Sequence, residues 1–320
     1  MRGMRRSSAL TQRGAAAITA GADKRRPDGG MADLGLRKRI QNRVEYGGFR
    51  AVAALLRLLP VETAARLSGR GWRLIAPRLR RHARALEHLR LAFPEKTEGE
   101  REKIALAMWD NLGRTFAEAF HLDAFAQPGR IRVENADALA AFVATGGVIC
   151  APHLGNWELN VIEAERLGAQ AAGAYQKIKN PLVNAYILSL RQPLYPGGLV
   201  EKSPAAPRQL LRHARAGGTV VVLADLRDAR GIPAPFFGRP APSTPFPAML
   251  ARRLNKPLAV SCLMREGEAR FVMKFEEIPV PATADSDADI AAATKLIQAA
   301  LERFVRERPE QWMWAHRRWG

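Results

Sequence analysis

At Pro128 the sequence changes its grammar, and that change limits the possible folds more than any other feature. Downstream of it, short β-rich runs alternate with helical ones. Residues 147–151 (GVICA) and 219–224 (TVVVLA) are too short and too uniformly apolar for amphipathic helices, so both are predicted buried strands. Further strands are predicted at 172–175, 258–263 and 270–275. Helices are expected over 158–167, 182–191, 207–216, 246–254 and 288–306. Strands alternating with helices call for a layered sheet with helices packed on it. The expected class is α/β, a layered mixed sheet flanked by helices over residues 128–320, with a helical and basic N-terminal region.

That N-terminal region, 31–127, has helical periodicity punctuated by Pro60, Pro77 and Pro94. Its basic residues (Arg37, Lys38, Arg39, Arg43, then Arg78, Arg80, Arg81 and Arg84) interleave with Leu55, Leu58, Trp72, Leu74 and Ile75. Such a surface suits anionic lipid, so the segment is expected to associate with a membrane. No span is expected. The best stretch, 46–59, falls short of about twenty apolar residues. It also carries Arg50 and Arg57, each costing roughly 2.5–3.5 kcal/mol in mid-bilayer. Val52, Leu55, Leu56 and Leu59 fall at helical spacing, which fits an interfacial helix and a buried one equally. Residues 1–30, rich in Arg, Gly, Ala and Ser, are expected to be a disordered basic extension. A transit peptide also fits their composition, and Met31 is a candidate start.

The formal net charge is +19, which attracts polyanions without choosing among them. Zinc-finger spacing and ribonucleoprotein motifs are missing, so nucleic acid is not an expected partner. Cys150 and Cys262 lie in apolar runs and fit neither a disulfide framework nor a metal motif.

The sharpest chemical feature is Pro152-His153-Leu154-Gly155-Asn156-Trp157-Glu158, directly after a predicted buried strand. Ligands in open α/β sheets sit beyond the carboxyl ends of strands. On one regular helix, positions five apart point about 140° away from each other. His153 and Glu158 therefore meet only if the chain turns between them, and Pro152 and Gly155 allow that turn. Given contact, a neutral imidazole could take a proton from an attacking hydroxyl, with a carboxylate on its other nitrogen fixing the tautomer. With an acyl thioester as electrophile, the oxyanion needs donors such as backbone N–H groups or basic side chains. No Ser or Cys sits in an elbow motif, which favours direct transfer over an acyl-enzyme. A His satisfied at a strand end beside a Glu in the first turn of a helix fits the same spacing.

The block His153-Leu154-Gly155-Asn156-Trp157-Glu158 resembles the H-x4-D/E motif of the bacterial lipid A biosynthesis acyltransferases, the late lauroyl- and myristoyl-type enzymes of the lysophospholipid acyltransferase superfamily. Further segments agree in order: Phe93-Pro94-Glu95 with Asn111-Leu112-Gly113-Arg114, Lys179-Asn180-Pro181-Leu182, Phe236-Phe237-Gly238-Arg239-Pro240-Ala241, and the tail from Pro309-Glu310-Gln311 to His316-Arg317-Arg318-Trp319. The likeness runs from about residue 40 to the C-terminus. It implies His153 as catalytic base and Glu158 as its partner. It also implies acyl carrier protein as donor, a lipid A precursor as acceptor, and the cytoplasmic face of the inner membrane as location. The charge would then suit an acidic carrier and a phosphorylated acceptor. Many members have Tyr-Arg where this chain has Tyr175-Gln176, and Asp-Gln where it has Asp225-Leu226. Lys177 or Lys179 would then replace the missing Arg.

The remaining candidates stand near these blocks. Asn156, Trp157 and Asn180 belong to the motifs and are expected to line the substrate. Arg227, Arg230 and Arg239 follow the TVVVLA strand, where they would grip phosphate or remain solvated loop charges. Asp225 would line the site or cap a turn. Trp312, Trp314 and Trp319 would anchor at headgroups or fill the core. No partner stands at metal spacing from His316, so neither metal nor cofactor is expected. A related transferase acting on a glycerophospholipid or glycolipid, and a basic membrane- or nucleic-acid-binding module without catalysis, are the competing readings.

Overall fold

The computed structural model describes residues 28–319, with side chains from residue 35. The predicted disordered extension lies outside the described residues except for 28–30, which open the first helix. The chain divides into two units, one ending at Gln41 and a larger one over Asn42–Gly320. The first helix, α1, spans Asp28–Arg57.

Four more helices precede the sheet: α2 (Val61–Ile75), α3 (Arg80–Ala92), α4 (Glu98–Glu118) and α5 (Leu122–Ala126). Thr97 starts α4 with a capping box, in which its hydroxyl accepts from the Glu100 amide while the Glu100 carboxylate accepts from the Thr97 amide. Glycine lets α4 approach α2. A Cβ on Gly113 would lie 2.6 Å from the Ser68 carbonyl oxygen, and Ser68 Oγ donates to the Gly113 carbonyl at 2.7 Å. In the stripe read from the sequence, Val52 and Leu55 are exposed and Leu56 and Leu59 half-buried. No helix among the described residues is long and apolar enough to cross a membrane.

Beyond Pro128 the order is β1 (Ile131–Val133), α6 (Ala136–Thr145), β2 (Val148–Ala151), α7 (Ile162–Arg166), β3 (Ala171–Tyr175), α8 (Pro181–Arg191), β4 (Gly198–Glu201), α9 (Ala206–Arg215), β5 (Thr219–Leu223), β6 (Ile232–Phe236), β7 (Arg239–Ser243), α10 (Phe246–Leu254), β8 (Leu258–Gly267), β9 (Arg270–Glu277) and α11 (Ser286–Glu307). Seven strands form one sheet in the order β1-β9-β8-β2-β5-β3-β4, parallel except at β8–β9. The α/β class and the mixed sheet flanked by helices are as the alternation required. β2 lies between β8 and β5 and is buried throughout, which is why its sequence is apolar at every position. Val148 and Cys150 face one hydrophobic cluster and Ile149 the other. The first cluster also holds Leu89, Phe93, Met108 and Trp109 from α3, α4 and their junction, so helical layer and sheet share a core.

Strands β1 and β4 and helix α6 add to the predicted elements, and two local features depart from expectation. The helix predicted over 158–167 is a 3-10 turn (Trp157–Leu159) followed by the single-turn α7. Asn160 is buried between them and donates to Ser261 Oγ at 2.6 Å, a tertiary tie that interrupts the helical course. The hairpin β6–β7 was not expected, because Pro demotes a strand. Its prolines face one another across the ribbon, Pro233 opposite Pro242 and Pro235 opposite Pro240. In an antiparallel pair these positions alternate with the bonded ones, so no N–H is missed. Phe237 (φ +53°) and Gly238 (φ +68°) make the two-residue turn, both left-handed as such a hairpin demands.

Candidate active site

Parallel register builds the centre of the site. Ala151 at the end of β2 lies opposite Leu223 at the end of β5, and the Ala224 amide donates to the Ala151 carbonyl at 3.0 Å. His153 and Asp225 each follow their strand by two residues and so arrive side by side at the carboxyl edge of the sheet. His153 Nδ1 lies 2.8 Å from Asp225 Oδ1, and the His153 backbone amide donates to Asp225 Oδ2 at 2.7 Å. Trp312 Nε1 donates to the same Oδ2, also at 2.7 Å.

Asp225 is 1% exposed. Burial alone would raise its pKa, yet the charge of His153 and the hydrogen bonds from His153 and Trp312 hold it well below the usual carboxylate range. An ionised carboxylate only accepts, so His153 Nδ1 carries a proton toward Asp225, and whenever the ring is neutral it is Nε2 that holds the lone pair. The ring of Trp157 lies 5.3 Å from that of His153, and the ring of His316 stands edge-on at 4.7 Å.

The segment carrying His153 is held as firmly as a strand. Leu154 bridges to Trp312 and Gly155 to Leu263. The Gly155 carbonyl accepts from Asn111 Nδ2 at 2.9 Å and Thr115 Oγ1 at 3.0 Å, both on α4. Only glycine serves at 155, since its φ is +59° and a Cβ would fall 1.8 Å from the Leu263 carbonyl oxygen. Beneath the loop, fully buried Glu118 accepts both terminal nitrogens of Arg265 and, at 2.7 Å, Asn156 Nδ2. Arg265 Nε donates to Asn111 Oδ1 at 3.0 Å, closing the network.

Glu158 is the principal correction. Its carboxylate accepts from Arg191 on α8 and, at 3.2 Å, from Trp157 Nε1. The carboxylate bonded to His153 is Asp225, because the 3-10 turn that starts at Trp157 carries the Glu158 side chain toward α8. With Ala119, Leu122, Ile187, Leu190 and Leu194, the Glu158–Arg191 pair lines a small cavity of about 30 Å³.

The other candidates scatter. Trp157 stands against His153, whereas Asn156 is buried and committed to Glu118. Asn180 caps α8, accepting from the amides of Leu182 and Val183, and donates to Glu45 and to the Asn42 carbonyl. Lys177 pairs with Glu201 at 3.1 Å, and Lys179 is exposed. Arg227 and Arg230 are exposed; the Arg227 amide lies 3.4 Å from the Arg317 carbonyl, and Arg239 donates to the Leu91 carbonyl. Trp312 and Trp314 are core residues, 1% and 0% exposed, rather than headgroup anchors.

Sequence reasoning missed Trp312, Glu118, Asn111, Thr115 and Arg265 as supports of the site. It also left open the role of Asp225. One signal was available: His153 and Asp225 stand at the same offset from the first residues of the two most apolar strand candidates, Gly147 and Thr219.

His316 is pushed down to about 4, first by burial and then by His153, with Arg81 and Arg84 adding to the effect and Asp225 opposing it. The unfolded ring takes up a proton below about 6.5. Between pH 6.5 and 4 the unfolded state therefore binds more protons, and stability falls as pH falls. The depressed Asp225 acts in the same direction below the usual carboxylate pKa, and burial lowers His88 too. The melting temperature is expected to drop across that window. His316→Gln should flatten the drop, by at most about 3 kcal/mol. An unchanged slope in the variant would remove His316 as the cause.

Compared with known proteins, residues 45–320 match the family model of the bacterial lipid A biosynthesis acyltransferases. No curated protein matches the chain.

Proposed function

The chain belongs to the bacterial lipid A biosynthesis acyltransferase family, and from that premise we propose that it moves a fatty acyl chain from the thioester of acyl carrier protein to a hydroxyl of a lipid A precursor, with His153 as general base. Family membership implies an acyltransferase. Donor, acceptor and residue roles are our own reading.

The observation that carries the reading is the His153–Asp225 pair at the carboxyl edge of β2 and β5. With Nδ1 donating to Asp225, the free Nε2 takes the proton of the acceptor hydroxyl as its oxygen attacks the thioester carbonyl. Asp225 stabilises the imidazolium that forms. Collapse of the tetrahedral intermediate breaks the C–S bond, and the imidazolium returns the proton to the departing sulfur. Glu158, the motif carboxylate, then serves by tying the His153 segment to α8 through Arg191.

Peripheral attachment to the cytoplasmic face of the inner membrane is part of the proposal. Leu55, Leu58, Leu74 and Ile75 are exposed, as are Arg70, Arg73 and Arg78, a composition suited to anionic headgroups over an apolar layer. The high positive charge suits an acidic carrier protein as well as a phosphorylated acceptor.

The test supplies purified protein with acyl-loaded carrier protein and a lipid A precursor bearing free 3-hydroxyacyl groups, and reads the products by mass spectrometry. A gain of one acyl chain on the precursor is expected. Acylation of a glycerophospholipid offered in competition, with the precursor untouched, would reassign the acceptor.

A further inference from the structure

Beside His153, the C-terminal tail and the first turns of α3 bring three basic side chains together. The ring of His316 stands 4.7 Å from that of His153, nearly perpendicular to it. Arg84 Nη1 donates at 3.2 Å to the carbonyl of Ala315, the residue just before His316. Arg81 lies one turn earlier on the same helix, and the positive charges of both arginines act on the His316 ring. Many arginines elsewhere in the fold are neutralised, as Arg57 is by Asp123, Arg130 by Glu62, Arg191 by Glu158 and Arg265 by Glu118. Among the described residues no carboxylate pairs with Arg81 or Arg84, and His316 Nδ1 is buried without a hydrogen-bond partner. Asp225, the acidic group facing His316, is already committed to His153 and Trp312.

We propose that Arg81, Arg84 and His316 form an oxyanion subsite at the rim of the catalytic centre that receives a phosphate ester of one substrate. The proposal rests on the acyl-transfer reading. Guanidinium groups grip phosphate through paired, charge-assisted hydrogen bonds. The imidazole of His316 supplies one further nitrogen next to the His153 ring. A phosphate held there would bring the rest of its molecule beside the His153 ring. Two sources share this chemistry: a phosphate on the glycolipid acceptor, and the phosphodiester of the pantetheine arm that carries the acyl thioester.

Matched substrates separate the sources. Initial rates are measured for acyl-phosphopantetheine against acyl-pantetheine, and for a phosphorylated acceptor against its dephosphorylated form. Wild-type protein is compared with Arg81→Ala, a change at an exposed position, and with Arg81→Ala/Arg84→Ala. In one arm the wild type should prefer the phosphorylated compound by about ten- to a hundredfold in KM, the range of a few charged hydrogen bonds, and the double variant should lose that preference. The arm that responds names the source. Equal preference in wild type and double variant, or none in either arm, overturns the subsite.

A second readout does not depend on turnover. Titration of the full chain with inorganic phosphate, followed through the imidazole NMR signals, should move His316 in the wild type and leave it unmoved in the double variant. If no acyl transfer occurs yet this shift is seen, the subsite stands and the enzymatic reading falls. If transfer occurs and His316 is silent to phosphate in the wild type, the subsite falls alone.

Discussion

Asp225→Asn should lower kcat for acyl transfer by about three to four orders of magnitude, with little change in KM and an intact fold. The amide keeps the volume of the carboxylate and still accepts through its oxygen. What it lacks is the charge that holds His153 in the Nδ1–H tautomer and stabilises the imidazolium during reaction. Loss of that role in serine hydrolase triads costs about 10⁴-fold, roughly 5 kcal/mol of barrier. Removing the base itself by His153→Ala should be at least as severe. Glu158→Gln is the discriminating partner experiment. Its carboxylate is bound to Arg191 and Trp157, so a loss within about tenfold is expected, the scale of one displaced hydrogen bond. Equal collapse of Glu158→Gln and Asp225→Asn would mean that the motif carboxylate reaches His153 during turnover, and the assignment of Asp225 would fail.

The second large effect is on stability. Glu118 is fully buried and is the counter-charge of Arg265, whose side chain is 10% exposed. Glu118→Ala strands that guanidinium in the interior and frees Asn156, and breaking a buried pair from one side costs about 3–5 kcal/mol. Denaturant unfolding should register this as a lower midpoint. Activity should fall with it, because Asn156 adjoins the glycine whose carbonyl is pinned by Asn111 and Thr115. Adding Arg265→Met to Glu118→Leu should recover part of the loss, since an apolar pair of similar volume carries no desolvation penalty. A single-variant cost below about 1 kcal/mol would show that water reaches the pair, and would remove the network as the anchor of the catalytic loop.

The sequence by itself determined the layers and the location of the chemistry. Apolar runs of four to six residues with β-branched side chains have no other economical use than buried strands, so GVICA and TVVVLA announced the centre of the sheet. A polar His two residues after the first of them announced its carboxyl edge. Glycine at 155 announced the turn, because only it tolerates that backbone. Local patterning of this kind is readable because the forces behind it act between near neighbours.

Only the tertiary structure decided which carboxylate meets the imidazole. His153 and Asp225 are 72 residues apart and are joined by the register of two parallel strands, which rests on the packing of the whole sheet. Glu158, five positions from His153, was the natural local choice. It lost because the turn after Asn156 points it at Arg191. Trp312, from the far end of the chain, became the third donor to Asp225 for the same reason: long-range contacts are set by the summed burial of the core, and no single segment carries that sum.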